Sequence, residues 1–224
     1  MPLRVDEGPA IPLARSASHE LLSGFPENVI AALPAGMPPG VGEKVARLGV
    51  ETVSQRPRCE WCWAACLEMV LRFFGVPKSK CEVATLQLEK QQSCCPESVA
   101  CDEGLSVAKI DEAFKKFGFA ANRFAALEFE HIEGQIMGKP ALGTLALPLA
   151  PRPIVAGISW QGANAGGHLV VISGVRTDAA SVRYVKVNDP FYTSGDIRYE
   201  DFRDKYGPND NGRWVHTWAD LRRR

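Results

Sequence analysis

The chain has 224 residues, of which 46% are hydrophobic and 23% are charged, proportions that are ordinary for a folded protein. Its 26 basic and 26 acidic residues cancel, whereas a general nucleic-acid or membrane-surface binder would carry a basic excess. Composition therefore argues against nucleic-acid and membrane partners. Because no apolar run is long enough to cross a bilayer and the N-terminus lacks the pattern of a secretory signal, we expect a cytoplasmic protein, with export as an effector as the alternative.

Residues 1–50 differ in composition from the rest of the chain. Proline and glycine recur throughout this segment and interrupt regular structure. The segment is predicted to be a linker, a wrapping arm or a propeptide, with short helices near residues 28–33 and 42–48. The remaining residues, 51–224, are predicted to form one domain.

The first half of this domain carries helical patterns. Apolar side chains around most of the circumference of residues 62–74 predict a largely buried helix. Further helices are predicted at residues 79–89, 106–117 and 129–137.

The pattern changes to that of strands after Pro151. Strands are predicted at residues 153–160, 168–175, 182–187, 197–199 and 213–218, with one helix near residues 199–206. Helices in the first half and strands in the second predict an α+β fold with a mostly antiparallel sheet.

Residues 59–66 read Cys-Glu-Trp-Cys-Trp-Ala-Ala-Cys, at the start of the first predicted helix. Cys62 would lie in the first helical turn, where unpaired backbone N–H groups carry partial positive charge and favour the thiolate. Because the thiolate is the reactive form of cysteine, this position predicts covalent chemistry at Cys62.

His168 is the candidate base for that chemistry. It follows Gly166 and Gly167 and begins the most apolar predicted strand, so it is placed to face a cleft that substrate backbone can approach closely. Asp189 ends the next strand, and pairing of the two strands would return it beside His168. Its carboxylate would orient the imidazole and favour the imidazolium, with Asn188 as the competing candidate.

Six cysteines remain once Cys62 has this role: Cys59, Cys66, Cys81, Cys94, Cys95 and Cys101. They could form three disulfides in 15 pairings, and the sequence leaves open both the pairing and the oxidising or reducing compartment that it would indicate. Cys66 is predicted to pack in the core. The last four lack the paired Cys-x2-Cys units of strong zinc sites, so neither a metal nor another cofactor is expected.

Three segments together resemble the papain-like cysteine peptidases: Trp-Cys-Trp-Ala-Ala at 61–65, Gly-His-Leu-Val-Val at 167–171 and Asn-Asp-Pro at 188–190. The similarity is to the bacterial branch that includes plant-pathogen effector proteases and the peptidase domains that trim double-glycine leaders. It implies a papain-like fold in which an N-terminal helical subdomain, carrying the nucleophile helix, packs on a C-terminal antiparallel sheet.

The resemblance also implies a function. A cysteine endopeptidase would hydrolyse a peptide or protein substrate through a Cys62–His168–Asp189 triad and an acyl-enzyme, and residues 1–50 would make self-processing possible if they are a propeptide. The alternatives are a papain-fold acyl or peptidyl transferase, similar to phytochelatin synthase, and a non-catalytic cysteine-rich module. The oligomeric state cannot be predicted from the sequence.

The chain departs from the family's pattern at the glutamine of the oxyanion hole. In the family this glutamine lies six residues before the nucleophile, where this chain has Arg56, whereas Gln55 lies seven residues before Cys62. A one-residue bulge would bring the Gln55 amide to the site, where it would stabilise the oxyanion. Trp61 and Trp160, with the two glycines before His168, are predicted to line the substrate cleft.

Overall fold

The computed structural model describes residues 42–139, 150–162, 166–192 and 194–224. Within them five of the helices predicted from the sequence are present at nearly the predicted positions: α1 (Cys62–Phe73), α2 (Lys80–Gln87), α3 (Val107–Lys116), α4 (Phe129–Met137) and α5 (Tyr199–Asp204). A short 3-10 helix, Val99–Cys101, separates α2 from α3. The helix predicted at residues 28–33 lies outside the described residues.

The described strands form one antiparallel sheet, most of which comes from the second half of the chain. Its strands are β1 (Lys44–Arg47), β2 (Phe119–Phe124), β3 (Ile154–Trp160), β4 (Gly167–Thr177), β5 (Arg183–Asn188), β6 (Gly195–Arg198) and β7 (Gly212–Arg223). The order across the sheet is β2-β7-β3-β4-β5-β6, and β1 pairs with the end of β4. The predicted α+β class with an antiparallel sheet is therefore confirmed.

One prediction of secondary structure, the helix at residues 42–48, was wrong, and one strand was missed. Residues 44–47 form β1 rather than a helix, because pairing of Lys44 with Thr177 in β4 supplies backbone hydrogen bonds that a four-residue helix could not match. β2 was not predicted at all. Only Phe119 of this strand is buried, so the alternation of apolar and polar residues that reveals most strands is missing.

The sheet carries helices on both faces. One apolar cluster joins α1, α2 and α3 to sheet residues that include Val155, Leu169 and Trp218. The other joins α4 and α5 to the opposite face, where Val170 and Ile172 alternate with the residues of the first cluster. Burial on both faces explains why β4 reads as a continuous apolar run.

Helix α1 is buried along most of its length, as its sequence predicted. Every residue from Cys62 to Leu71 is buried, including the carboxylate of Glu68. Glu68 forms an ion pair with Arg72 and accepts a hydrogen bond of 2.6 Å from the backbone N–H of Lys80, which offsets the cost of burying its charge. The helix that carries Cys62 is therefore held rigidly between α2 and the sheet.

The division into residues 1–50 and 51–224 stays a prediction, because residues 1–41 lie outside the described part of the chain. Within the described part, β1 shows that the ordered sheet already includes residues before 51. None of the helices described there is long and apolar enough to cross a membrane.

Candidate active site

Cys62 is the first residue of α1, and its side chain is buried at the end of the sheet. The first α-helical hydrogen bond runs from the N–H of Ala65 to the carbonyl of Trp61, at 2.9 Å. The N–H groups of residues 62–64 therefore have no partner within the helix, as expected for a first turn. Partial positive charge collects there, next to the Cys62 sulfur.

Asp102 holds the turn that leads into α1. Its carboxylate accepts hydrogen bonds from the backbone N–H of Glu60, at 2.8 Å, and of Cys59, at 3.3 Å. Asp102 therefore fixes the backbone just before α1 from a distant loop, without capping the helix itself. Sequence reasoning missed Asp102, because nothing local to residues 59–66 indicates a partner some 40 residues away.

The two tryptophans beside Cys62 anchor to the same loop. The indole N–H of Trp61 donates to the carbonyl of Cys101 at 2.6 Å, and that of Trp63 donates to the carbonyl of Glu103 at 2.9 Å. Both side chains are fully buried. The prediction that Trp61 lines a substrate cleft does not fit this burial: Trp61 fixes the start of α1 to residues 101–103.

Two disulfides lie in this loop region. Cys81 pairs with Cys95 and Cys94 pairs with Cys101, while Cys59, Cys62 and Cys66 are free. Of the six cysteines considered for pairing, four are therefore bonded. Within the described residues no group of three or more histidine, cysteine or acidic side chains is placed to hold a metal ion.

Removing the Cys94–Cys101 disulfide is expected to destabilise the protein. The double variant Cys94→Ala/Cys101→Ala should lose roughly 2–4 kcal/mol of unfolding free energy, because the bond restricts the unfolded chain. Urea denaturation measures this loss. Cys59→Ala removes an exposed free thiol and serves as the control, with a change within about 0.5 kcal/mol. Equal stability of the double variant and the control would contradict a structural role for this bond.

His168 lies between the nucleophile turn and the end of β5. Its Nε2 atom is 2.9 Å from Oδ1 of Asp189, and both side chains are buried. The imidazole also forms a hydrogen bond with Cys62, for which Nδ1 is the remaining ring nitrogen. The structure thus brings together the three residues that the sequence singled out.

The electrostatics of this group favour a charged imidazole. Burial disfavours the imidazolium, but the Asp189 carboxylate and Cys62 outweigh it and raise the pKa of His168 to about 10. Burial also works against the Asp189 carboxylate, yet its contacts with His168 and Tyr206 hold its pKa below the usual range. At neutral pH the pair is therefore an imidazolium and a carboxylate.

Asn188, the competing candidate, points elsewhere. Its amide donates to the carbonyl of Val50 at 3.0 Å and to the Thr52 hydroxyl at 2.8 Å, while its oxygen accepts from Ser173. These contacts tie the chain before α1 to β4 and β5. Alternation along β5 explains the result, because adjacent side chains point to opposite faces.

Trp160 and Tyr192 enclose the imidazole of His168. The indole of Trp160 stacks on it with ring centroids 6.1 Å apart and planes inclined by 23°. Tyr192 meets the ring edge-on, with centroids 5.9 Å apart. Trp160 is only partly buried, so its predicted place at the cleft stays a prediction.

Gly166 ends the connection between β3 and β4, and Gly167 is the first residue of β4. The carbonyl of Gly166 accepts a hydrogen bond from the N–H of Trp160 at 2.9 Å, and Gly167 pairs with Ser159. Both glycines are buried in the structure. Their approach to substrate stays a prediction, since residues 163–165 lie outside the described part.

Gln55 lies close both to Asp189 and to the turn before Cys62. Its backbone N–H donates to the carbonyl of Pro190 at 2.8 Å, next to Asp189. Its buried amide nitrogen donates to the carbonyls of Arg58 and Cys59, in the turn before Cys62. The side chain is therefore at the nucleophile turn in spite of its displaced position in the sequence.

Cys66 lies one helical turn beyond Cys62 and is fully buried, as predicted. Burial raises the pKa of its thiol well above the usual range, and Cys62 and Asp189 add to the effect. Cys66 is therefore a neutral thiol beneath the site rather than a second reactive sulfur.

A small apolar cavity adjoins the strand that carries His168. It lies between α3 and the sheet, and its lining includes Ile110, Ile158, Gly167, Leu169, His216 and Trp218. Gly167 and Leu169 flank His168 in β4, but adjacent side chains of a strand point to opposite faces, so the His168 imidazole does not line this cavity.

Comparison with known proteins places this group in a class. The sequence profile of the peptidase C39-like family matches residues 47–214, which is more than half of the chain and includes Cys62, His168 and Asp189. The protein is a cysteine peptidase, a hydrolase of the papain-like class. The chain belongs to the peptidase C39-like family.

Solved structures similar to the chain include two peptidase domains. One is a double glycine motif protease from an AMS/PCAT transporter in complex with the leader peptide, 18% identical, covering 80% of this chain and 95% of that chain, with a TM-score of 0.47. The other is the peptidase domain of Streptococcus ComA, a bifunctional ABC transporter involved in quorum sensing, 16% identical, covering 78% and 99%, also with a TM-score of 0.47. Comparison with curated protein sequences finds no match.

Proposed function

We propose that this peptidase cleaves peptide bonds through a Cys62–His168–Asp189 triad. The observation that carries the proposal is the unbroken set of contacts from Cys62 to His168 and, at 2.9 Å, from His168 to Asp189. A thiolate needs a cation beside it and a proton donor for the leaving group, and an imidazolium supplies both. Family membership favours this function over the transferase and non-catalytic alternatives.

The reaction has two steps. The Cys62 thiolate attacks the scissile carbonyl carbon, and the proton on His168 passes to the leaving amine as the C–N bond breaks, which leaves a thioester on Cys62. Water then attacks the thioester while His168 takes its proton, and the acid is released as the thiolate and imidazolium are restored. Asp189 holds the imidazole in place throughout.

Two donors would stabilise the negative oxygen of each tetrahedral intermediate. One is the backbone N–H of Cys62, which has no partner within α1. The other is the Nε2 group of Gln55, which carries two hydrogens and already lies at this turn. The long 3.3 Å contact with Arg58 is the one that an oxyanion would replace.

Gln55→Ala is expected to lower kcat by about 100- to 1,000-fold with little change in KM, because an oxyanion donor acts mainly in the transition state. Steady-state kinetics on a peptide substrate measure the loss. Gln87→Ala, which removes a glutamine amide from α2 that donates to Lys109, is the matched control and should keep wild-type kcat. Equal kcat values for the two variants would rule out this role for Gln55.

Alkylation tests the proposed thiolate–imidazolium pair without a substrate. Iodoacetamide at mildly acidic pH, with sites mapped by mass spectrometry, should label Cys62 at least about 10-fold faster than Cys59, although Cys59 is exposed and Cys62 is buried. The reason is that an imidazolium beside a thiol favours the thiolate, which is the nucleophilic form. Labelling of Cys59 at the same rate as Cys62 would contradict the pair.

Self-processing is the second part of the proposal. β1 pairs with the end of β4 that is farther from His168, a separation of roughly 30 Å along the strand. A fraction of the chain before residue 42 could span that distance if extended, at about 3.3 Å for each residue. Wild-type protein should therefore shorten on incubation while Cys62→Ala keeps its full mass, and identical mass spectra would exclude self-processing.

A further inference from the structure

We infer that Tyr206 is a positioning residue of this site, which holds the Asp189 carboxylate ionised and aimed at His168. The inference rests on the proposed triad and adds a fourth side chain to it. The Tyr206 hydroxyl donates a short hydrogen bond to Oδ2 of Asp189 in a fully buried setting. Tyr206 itself has only 3% of its surface exposed.

Asp189 needs this donor because its charge is completely buried. Oδ1 accepts from His168 and from the backbone N–H groups of Phe191, at 2.7 Å, and Tyr192, at 2.8 Å. Oδ2 has a hydrogen bond only to Tyr206 among the described residues. Three donors therefore meet Oδ1, and among the described residues Tyr206 is the donor to Oδ2, so Tyr206 satisfies the second oxygen and completes the set of contacts that fix the rotation of the carboxylate about its bond to Cβ.

The fold around Tyr206 holds the phenol in place. Its backbone forms two hydrogen bonds of 2.8 Å with Gly212, and its ring stacks on Trp160 with centroids 6.2 Å apart. Trp160 in turn stacks on His168. Tyr206 thus contacts the triad twice, through Asp189 directly and through Trp160 against the imidazole.

Two glycines make this arrangement possible. A Cβ atom on Gly212 would lie 2.7 Å from the Trp160 ring and 2.5 Å from the Tyr206 carbonyl oxygen. Gly207 has a φ of +88°, and a Cβ there would lie 2.7 Å from the same ring. Glycine at both positions lets the indole pack between the tyrosine and the histidine.

The titratable groups around Asp189 determine how Tyr206 affects the protonation of its carboxylate. They come from α1, β4, the turn after β5 and the segment after α5, namely Cys66, His168, Tyr192 and Tyr206, while Cys62 contacts His168. Burial and Asp189 raise the pKa of Tyr206 well above its usual range, so the phenol keeps its proton and stays a donor. Because only His168 is cationic in this set, loss of the phenol hydroxyl makes the carboxylate easier to protonate.

Tyr206→Phe tests the inference through the pH dependence of Cys62 alkylation by iodoacetamide. The acidic limb of the rate should move to higher pH, because Asp189 takes up a proton more readily and no longer supports the imidazolium. At a pH on that limb the rate should fall by about 10- to 100-fold, the effect expected for losing a hydrogen bond to a charged group. The alkaline limb should stay in place.

Tyr199→Phe is the matched control. Its hydroxyl donates to the carbonyl of Leu127 at 2.9 Å in the core, and it makes no contact with Asp189. This variant should keep the wild-type pH profile, whatever it loses in stability. A Tyr206→Phe profile with an unshifted acidic limb, or one lowered equally at all pH values, would overturn the positioning role. Failure of the proposed triad would give a different result: Cys62 of the wild-type protein would then not be alkylated rapidly at acidic pH.

Discussion

Cys62→Ser is expected to lower kcat/KM for a peptide substrate by at least about 10,000-fold, the scale seen when a covalent nucleophile is removed. The hydroxyl has nearly the same size as the thiol, so the buried start of α1 should not change. A serine hydroxyl, however, is not ionised by a neighbouring imidazolium, whereas a thiol is. Hydrolysis of fluorescently labelled casein, with thermal unfolding to confirm the fold, measures the effect.

Cys59→Ser provides the matched control for that variant. Cys59 is an exposed free thiol in the same turn, three positions before the proposed nucleophile. Its replacement should leave kcat/KM within about 2-fold of wild type, since surface substitutions of this kind change stability by less than about 0.5 kcal/mol. Loss of activity in Cys59→Ser with retention in Cys62→Ser would move the nucleophile to residue 59.

His168→Ala is expected to have the second-largest effect, a decrease in kcat/KM of about 10,000-fold. The imidazole both pairs with the thiolate and delivers the proton to the leaving amine, so its removal affects both chemical steps. The variant should also lose the rapid alkylation of Cys62 at acidic pH. Labelling and hydrolysis together measure the result, and unchanged acidic labelling in His168→Ala would show that another group activates the thiol.

The raised pKa of His168 predicts that the stability and the activity of the protein depend on pH. Its folded-state value of about 10 exceeds the usual value of 6.5, so the folded protein binds this proton more tightly than the unfolded chain does. The contribution of this proton to stability is therefore complete below about pH 6.5 and is lost as the pH rises through about 10. Peptidase activity should decline over the same alkaline limb.

His131→Ala is the control for His168. His131 lies exposed on α4, away from the site, and should be replaceable without loss of activity. Urea unfolding between pH 7 and pH 10 should show a decrease in stability for wild type and for His131→Ala. The decrease should be smaller in His168→Ala. The same slope in all three proteins would argue that His168 does not hold a proton in this range.

The nucleophile and its partners are held by different parts of the fold. The turn before α1 is tied to Asp102 and to the loop closed by the Cys94–Cys101 disulfide. His168 and Asp189 are held instead by the sheet and by Tyr206. Movement of one part against the other would break the contact between Cys62 and His168. The hydrogen bonds and the disulfide that hold each part therefore also preserve that contact.

Most of the helices and strands could be predicted because their signals are local. The apolar residues of α1 repeat around the helix, and β4 is a continuous apolar run. Local signals failed where pairing with a distant strand decided the structure. β1 gains its hydrogen bonds from β4, and β2, mostly exposed at the edge of the sheet, gains its hydrogen bonds from β7.

The sequence by itself determined the α+β class and the identity of Cys62, His168 and Asp189 as candidates, because residue type and position beside a helix or strand end are readable along the chain. Only the tertiary structure decided what supports them. Asp102 and Tyr206 act across the fold, and Trp61 is buried because its indole finds a carbonyl in a distant loop. Such contacts depend on distances between segments far apart in the chain, which no local pattern of residues records.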